Sequence, residues 1–197
     1  MSIDEATSEK VLGNARNRSG PYREAGYWAD RLLIDYFTAA VRKYPDKIAV
    51  KDDRFGALSH GELAALVSRL AGALEGRGVA KGDMFVIALP NWRHVPAFML
   101  ALNAIGAVGV HLPISGGKHE FSGVLGITDA KGIVVPAGFR GKDFVALIES
   151  VSGDLGNLGV RVTVGSEHSA PGWLTFEALL SDAPAFEPGP STRASGS

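Results

Sequence analysis

Apolar residues recur at three- and four-residue steps in several parts of the chain, a spacing typical of amphipathic helices. The first such stretch predicts a helix over 30–44. Asp30 can cap its N-terminus, and Pro45 ends it. Its apolar stripe consists of Leu33, Tyr36, Phe37, Ala40, Val41 and Tyr44.

A second stretch predicts a helix over 59–75. Ser59 can serve as its N-cap, and Glu62 lies at the capping-box spacing three residues later. Gly76 and Gly78 suit a C-terminal stop. Its stripe consists of Leu63, Leu66, Val67, Leu70 and Leu74.

Four further helices follow from the same periodicity. Pro96 falls in the first turn of the earliest one, where a missing N–H costs little. That helix has Val95, Phe98, Met99, Leu102 and Ile105 in phase. The predicted ranges are 92–105, 118–127, 142–151 and 174–181.

Short apolar runs lie between these helices. The run MFVIAL over 84–89 is typical of a strand covered on both faces. Further strands are predicted over 108–112, 132–136 and 160–164. Residues 48–50 and 54–59 predict a hairpin, with Asp52 and Asp53 at its turn.

The alternation of strands and helices predicts an α/β fold, with a largely parallel sheet and helices on both faces. The chain divides into a mobile N-terminal arm over 1–20, a domain over 21–182 and a tail over 183–197. The tail is rich in Pro, Ser and Gly, a composition typical of linkers.

Composition narrows the possible functions. The 20 basic and 21 acidic side chains nearly cancel, so nothing draws the chain to nucleic acid or to an anionic membrane. No cysteine is present, which excludes disulfides, thiolate metal sites and cysteine nucleophiles. The N-terminus has no signal-peptide pattern, and no apolar run is long enough to span a bilayer. We therefore expect a cytoplasmic protein.

Motif searches by chemistry assign no site. Gly116-Gly117-Lys118 fails as a phosphate loop, because Leu112 and His119 occupy positions that need Gly and Ser or Thr. The pair Gly76-x-Gly78 follows a helix and lacks the third glycine of a dinucleotide turn. We expect surface loops at both places.

Titratable and nucleophilic residues do not form a recognisable constellation either. Adjacent carboxylates such as Asp52-Asp53 point apart and suit a turn. The serines lack a nucleophile-elbow motif. No two histidines have the helical spacing of a zinc site, and we expect surface or capping roles for all five: His60, His94, His111, His119 and His168.

Three residues lie where the sites of α/β proteins often occur. Asn91, Trp92 and His94 follow the predicted strand over 84–89, and ligands of such folds bind beyond the carboxyl ends of strands. We treat these residues as candidates and assign them no catalytic role.

Four short sequence segments, which follow one another in a fixed order, resemble segments of a known family. They are PDKIAV at 45–50, LSHGEL at 58–63, GVAKGDMFVIALPN at 78–91 and ALNAIGAVGVHLP at 101–113. This succession resembles the N-terminal region of the adenylate-forming superfamily, which includes acyl- and aryl-CoA ligases. His60 stands where the family usually has an aromatic residue. Gly82, Gly106 and the small residues Ala107 and Gly109 fit scaffold roles at turns and packing contacts.

The resemblance implies activation of a carboxylic acid by ATP to an acyl-adenylate, followed by transfer to a thiol, usually that of coenzyme A. The segment GPYREAGYW at 20–28 looks like the lead-in of members that activate aryl, alicyclic or medium-chain acids. ATP, Mg²⁺ and coenzyme A are implied for the complete enzyme. For this chain alone we expect none of them and assign no catalytic, cofactor-binding or metal residue.

The reason is that the family's phosphate loop, acidic Mg²⁺ ligand, ribose-binding Asp and lid Lys have no counterpart in the sequence. We therefore expect a truncated N-terminal portion that is inactive alone. Two alternatives stay open: a non-catalytic interaction module that pairs with a partner, and an unrelated small nucleotide-binding α/β domain. A truncated sheet would also expose an edge that favours self-association.

Overall fold

The structure is a computed structural model, and it describes residues 19–29, 31–151, 153, 156–166, 170–181 and 186. Residues 1–18 of the predicted arm over 1–20, the proposed cap Asp30 and the tail other than residue 186 lie outside the described residues. The chain forms two compact units, which divide between residues 32 and 33.

The described part of the first unit is short. Residues 19–24 are helical, and the ring of Tyr22 stacks on that of Trp28 with 5.4 Å between centroids. The backbone N–H of Trp28 donates to the Tyr22 carbonyl, which closes the turn that brings the two rings together.

The second unit contains six helices and nine strands within the described residues. The helices are α1 (Leu33–Lys43), α2 (His60–Glu75), α3 (His94–Ile105), α4 (Lys118–Thr128), α5 (Phe144–Glu149) and α6 (Phe176–Ser181). The strands are β1 (Ile48–Asp52), β2 (Gly56–Ser59), β3 (Met84–Ile87), β4 (Val108–His111), β5 (Gly132–Pro136), β6 (Gly138–Phe139), β7 (Lys142–Asp143), β8 (Val160–Val164) and β9 (Leu174–Thr175).

The main sheet has five strands in the order β4-β3-β5-β8-β9, and every neighbouring pair is parallel. Strands β1 and β2 form a separate antiparallel hairpin, as do β6 and β7. The predicted α/β class and the largely parallel sheet are therefore confirmed.

Apolar side chains cover both faces of the sheet, as the near-continuous apolar strands predict. On one face, Phe85 and Ile87 of β3 pack in a cluster with α2, α3 and α6. On the other face, Val86 and Ala88 pack in a cluster with α4 and α5. Because successive side chains of a strand point to opposite faces of the sheet, β3 contributes to two separate cores.

Helix α2 begins with the predicted capping box. The Glu62 amide donates to Ser59 Oγ at 3.2 Å, and the Ser59 amide donates to Glu62 Oε2 at 2.7 Å. Four of its five predicted stripe residues are buried, and Leu66 is half-buried.

Two glycines near the end of α3 have different structural reasons, a left-handed backbone at Gly106 and close packing at Gly109. Gly106 ends α3 at φ 77°, and a Cβ there would also lie 3.0 Å from the Lys81 side chain. At Gly109 a Cβ would lie 3.3 Å from Ile87 and 3.5 Å from Leu102 of α3, so the small residue permits the close helix–sheet contact we predicted.

Several predicted boundaries are wrong for local reasons. Residues 142–143 form a strand, and α5 starts after Asp143 because that carboxylate caps the Ala146 amide. Residues 174–175 are likewise a strand, and the Thr175 hydroxyl caps α6 by accepting from the Ala178 amide. Helix α3 begins at His94 rather than at Trp92.

Some predicted stripe residues face solvent. Met99 on α3 is 38% exposed, and Leu33, Tyr36 and Tyr44 around α1 are also exposed. The half-buried face of α1 includes Ile34 instead, together with Phe37, Ala40 and Val41 of the predicted stripe. Among the described residues, no helix is long and apolar enough to cross a membrane.

Candidate ligand-binding crevice

The sheet reverses its direction of growth at β3. The chain passes from β3 outward to β4, then crosses back to β5 on the opposite side of β3. In open parallel sheets, ligands bind beyond the carboxyl ends of the strands at such a reversal. The segments that follow β3 and β5 therefore mark the candidate site.

The segment after β3 supplies an indole ring. Trp92 is buried, and its ring meets Phe55 at 5.1 Å and Phe139 at 5.9 Å between centroids, both edge to face. Phe55 comes from the β1–β2 turn, and Phe139 comes from the segment after β5. Three distant parts of the sequence thus build one aromatic cluster.

The segment after β5 is a tight hairpin made by β6 and β7. Its two-residue turn is Arg140-Gly141, with φ 51° and 78°, the combination that a type I′ turn requires. A left-handed arginine is uncommon at such a position. Residues 137–143 line a shallow depression of about 440 Å³ that is open to solvent.

Guanidinium groups lie against each ring of the aromatic cluster. The Arg54 guanidinium lies 4.7 Å from the Trp92 ring, Arg93 lies 5.9 Å from Phe55, and Arg140 lies 5.3 Å from Phe139. Arg54 also donates to the Gly165 carbonyl at 3.3 Å, directly after β8. The rings therefore hold cationic groups at the carboxyl edge of the sheet.

Asp52 organises the turn that carries Arg54 and Phe55. One of its carboxylate oxygens accepts from the amides of both residues, and the other accepts from the Arg93 amide at 2.7 Å. Burial raises the pKa of Asp52, but these three N–H donors outweigh it and hold the pKa below its ordinary value. The carboxylate is therefore ionised and engaged with backbone.

His94 lies beneath this cluster and is only 2% exposed. Its ring meets Phe55 at 4.5 Å and Phe176 at 4.6 Å, both edge to face. Burial and the Arg93 charge lower the pKa of His94 to about 4, against a smaller opposing effect of Asp52. Within the described residues, Nδ1 is buried with no hydrogen-bond partner. The imidazole is therefore neutral near pH 7 and packs as an aromatic residue.

The three sequence candidates have different outcomes. Asn91 is exposed, whereas Trp92 and His94 are buried in the aromatic cluster. The expectation of a surface or capping role is wrong for His94. Sequence reasoning missed Arg54, Phe55, Phe139 and Arg140, because turn residues separated along the chain carry no local motif.

The rejected phosphate-loop candidate is a helix start. Gly117 precedes α4, and its amide donates to the Glu120 carboxylate at 2.8 Å. A carboxylate of the chain itself thus occupies the place that a bound anion would need. Across the described ranges, no group of three or more His, Asp or Glu side chains could hold a metal ion. We therefore assign no chemical step to a metal held by these residues.

Comparison with known proteins identifies the family. A family model described as AMP-binding enzyme matches residues 37–192. A medium-chain fatty-acid–CoA ligase of Escherichia coli K12 is 31% identical over 178 residues, which are 90% of this chain and 31% of that protein. A salicyl-AMP ligase/salicyl-S-ArCP synthetase of Mycobacterium tuberculosis is 31% identical over 180 residues, 88% of this chain and 32% of that protein.

Solved structures agree. The apo structure of MbtA from Mycobacterium smegmatis superposes with a TM-score of 0.75 at 25% identity, over 89% of this chain and 32% of that chain. A structure described as a long-chain fatty-acid CoA ligase from Rhodopseudomonas palustris gives a TM-score of 0.69 at 26% identity, over 79% of this chain and 38% of that one.

The chain belongs to the AMP-binding enzyme family, and the resemblance read from its sequence is confirmed. It corresponds to an N-terminal region of these enzymes and spans about a third of the length of the curated relatives it matches.

Proposed function

We propose that this chain is the N-terminal portion of an AMP-forming acid–thiol ligase. Such an enzyme joins a carboxylate to ATP, giving an acyl-adenylate and pyrophosphate, and then transfers the acyl group to a thiol. The family match over 37–192 carries this proposal. Relatives named for medium-chain fatty acids, salicylate and 2,3-dihydroxybenzoate support an aryl or medium-chain acid as substrate. The segment at 20–28 extends the proposal to alicyclic acids.

The crevice suits an anionic ligand with a flat or apolar part. Arg54, Arg93 and Arg140 place guanidinium groups there, which pair well with carboxylate or phosphate oxygens. Phe139, which is half-buried and packs on the buried Trp92 ring, supplies apolar surface beside them. In the complete enzyme we assign this crevice to ligand binding rather than to bond making, because its histidine is buried between Phe55 and Phe176 and is not accessible to a ligand.

We further propose that this chain alone is inactive. The family's phosphate loop, acidic metal ligand, ribose-binding Asp and lid Lys have no counterpart in its 197 residues. Removing one preorganised donor from an active site typically lowers the rate by about a hundred- to a thousand-fold. Loss of several together leaves no measurable turnover.

The test is acid-dependent ATP–pyrophosphate exchange in two proteins. One is the 197-residue chain, and the other is the complete product of the coding sequence that contains it. We expect no exchange from the first, and exchange by the second with at least one acid from a panel of aryl, alicyclic and medium-chain acids. Exchange by the 197-residue chain would overturn its inactivity. A complete product that activates no acid would overturn the ligase proposal.

A second candidate function is a non-catalytic interaction module. Among the described strands β4 pairs with β3 alone, and its Val108 is 43% exposed, so one edge of the main sheet is open to pairing. This candidate predicts concentration-dependent association of the 197-residue chain. A monomer by light scattering at high concentration would count against self-association, and pull-down of a specific partner would support the module.

A further inference from the structure

Phe186 lies within the Pro-, Ser- and Gly-rich tail but is packed on the domain. Its side chain is half-buried against the core cluster that includes α2 and α3. There it lines a cavity of about 200 Å³ together with Phe37, Val41, Val67, Ala71 and Ala104. Residue 186 therefore seats in an apolar groove formed by α1, α2 and α3.

Two hydrogen bonds with Ser68 hold Phe186, one at its backbone amide and one at its backbone carbonyl. The Phe186 amide donates to the Ser68 carbonyl at 3.1 Å, and Ser68 Oγ donates to the Phe186 carbonyl at 3.0 Å. A serine inside a helix commonly bonds the carbonyl four residues earlier in its own helix. The Ser68 hydroxyl in α2 instead donates to the carbonyl of Phe186, which lies 118 positions later in the chain.

The next residue of α2 holds the same stretch of chain at a second point. The Arg69 guanidinium donates to the Leu180 carbonyl at 2.9 Å. Leu180 lies in the last turn of α6, where carbonyl groups lack helical partners. Arg69 thus holds the last turn of α6 at residue 180, and Ser68 holds the chain beyond α6 at residue 186.

We propose that the α1–α2–α3 groove is a docking site for this chain's own C-terminal segment, with Phe186 as its anchor. The groove holds an apolar side chain, and Ser68 forms hydrogen bonds with the backbone N–H and C=O of the residue that carries it. This inference does not depend on the proposed ligase activity.

Equilibrium unfolding of the 197-residue chain tests the docking of Phe186. Phe186→Ala should raise the unfolding constant about tenfold, since a half-buried aromatic ring is lost, and Phe186→Leu should recover most of that loss. Ser68→Ala should raise the unfolding constant about threefold in the natural chain but leave it unchanged in the Phe186→Ala background. Either of two results would show that Phe186 is not docked. One is an unfolding constant that Phe186→Ala does not alter. The other is a Ser68→Ala effect that is as large in the Phe186→Ala background as in the natural chain.

Discussion

The Asp52 carboxylate accepts a hydrogen bond from the Arg93 amide, with 2.7 Å between oxygen and nitrogen, although the two residues lie 41 positions apart. This bond ties the β1–β2 hairpin to the start of α3. It fixes Arg54 and Phe55 beside Trp92, so one carboxylate determines the arrangement of the crevice.

Removal of this carboxylate should destabilise the domain. Asp52→Ala leaves three amide donors without their acceptor, and we expect a loss of about 2–3 kcal/mol in the free energy of unfolding. Asp52→Asn keeps one acceptor oxygen and should lose about 1 kcal/mol. Chemical denaturation measures both changes. The neighbouring exposed residue gives a matched control, since Asp53→Ala should stay within about 0.5 kcal/mol. Similar losses at the two positions would contradict this role of Asp52.

Stability should depend on the protonation of His94. Folding lowers its pKa from 6.5 to about 4, so below pH 6.5 the unfolded chain takes up a proton that the folded chain excludes. The contribution of neutral His94 to the free energy of unfolding is fully present above pH 6.5 and is lost as the pH falls towards 4. The full difference corresponds to about 3 kcal/mol.

Urea unfolding at several pH values between 7.5 and 4.5 measures this loss. In His94→Gln the side chain does not titrate, so the variant should lose less stability than the natural chain over the same range. If His94→Gln and the natural chain lose the same free energy of unfolding between pH 7.5 and 4.5, groups other than His94 control the acid sensitivity.

Two glycines should respond oppositely to alanine. A Cβ at Gly132 in β5 would lie 2.8 Å from the Val160 carbonyl and closer still to the Phe85 ring, so Gly132→Ala should cost about 3 kcal/mol or more. Gly126 is an exposed helical residue with open space around it, and Gly126→Ala should stabilise by about 0.5–1 kcal/mol. Thermal unfolding separates the two effects. A tolerated alanine at 132 would contradict the packing of β5 against β3 and β8.

Arg140 occupies a backbone position that glycine adopts more readily. Arg140→Gly removes the cost of a left-handed arginine and should leave stability unchanged or raise it by about 0.5–1 kcal/mol. Gly141→Ala, at the other position of the same turn, should cost about 1 kcal/mol. A large loss in Arg140→Gly would mean that its contact with Phe139 outweighs the strain.

Residue patterns predict the parts of this fold that depend on neighbours in sequence. The Ser59–Glu62 capping box and the buried strands β5 and β8 follow directly from local periodicity. The strand boundaries at 142–143 and 174–175 do not, because each depends on a partner strand that helical periodicity does not reveal.

The candidate crevice could be predicted only in part. Trp92 was found because it follows a strand, but the Arg54 contact with the Gly165 carbonyl joins residues 111 positions apart. Such contacts follow from the order of strands in the sheet. Phe186 is a similar case, since tail composition gives no indication that one aromatic residue docks on α2.

The position of β3 between β4 and β5 has a consequence for synthesis on the ribosome. Both of its partners, β4 and β5, lie later in the chain, so the apolar strand leaves the ribosome before either can pair with it. At about 5–20 residues per second, the interval before β5 emerges is on the order of several seconds. During this interval the nascent strand offers a binding segment to chaperones, and slower translation through the stretch between β3 and β5 should lengthen that exposure.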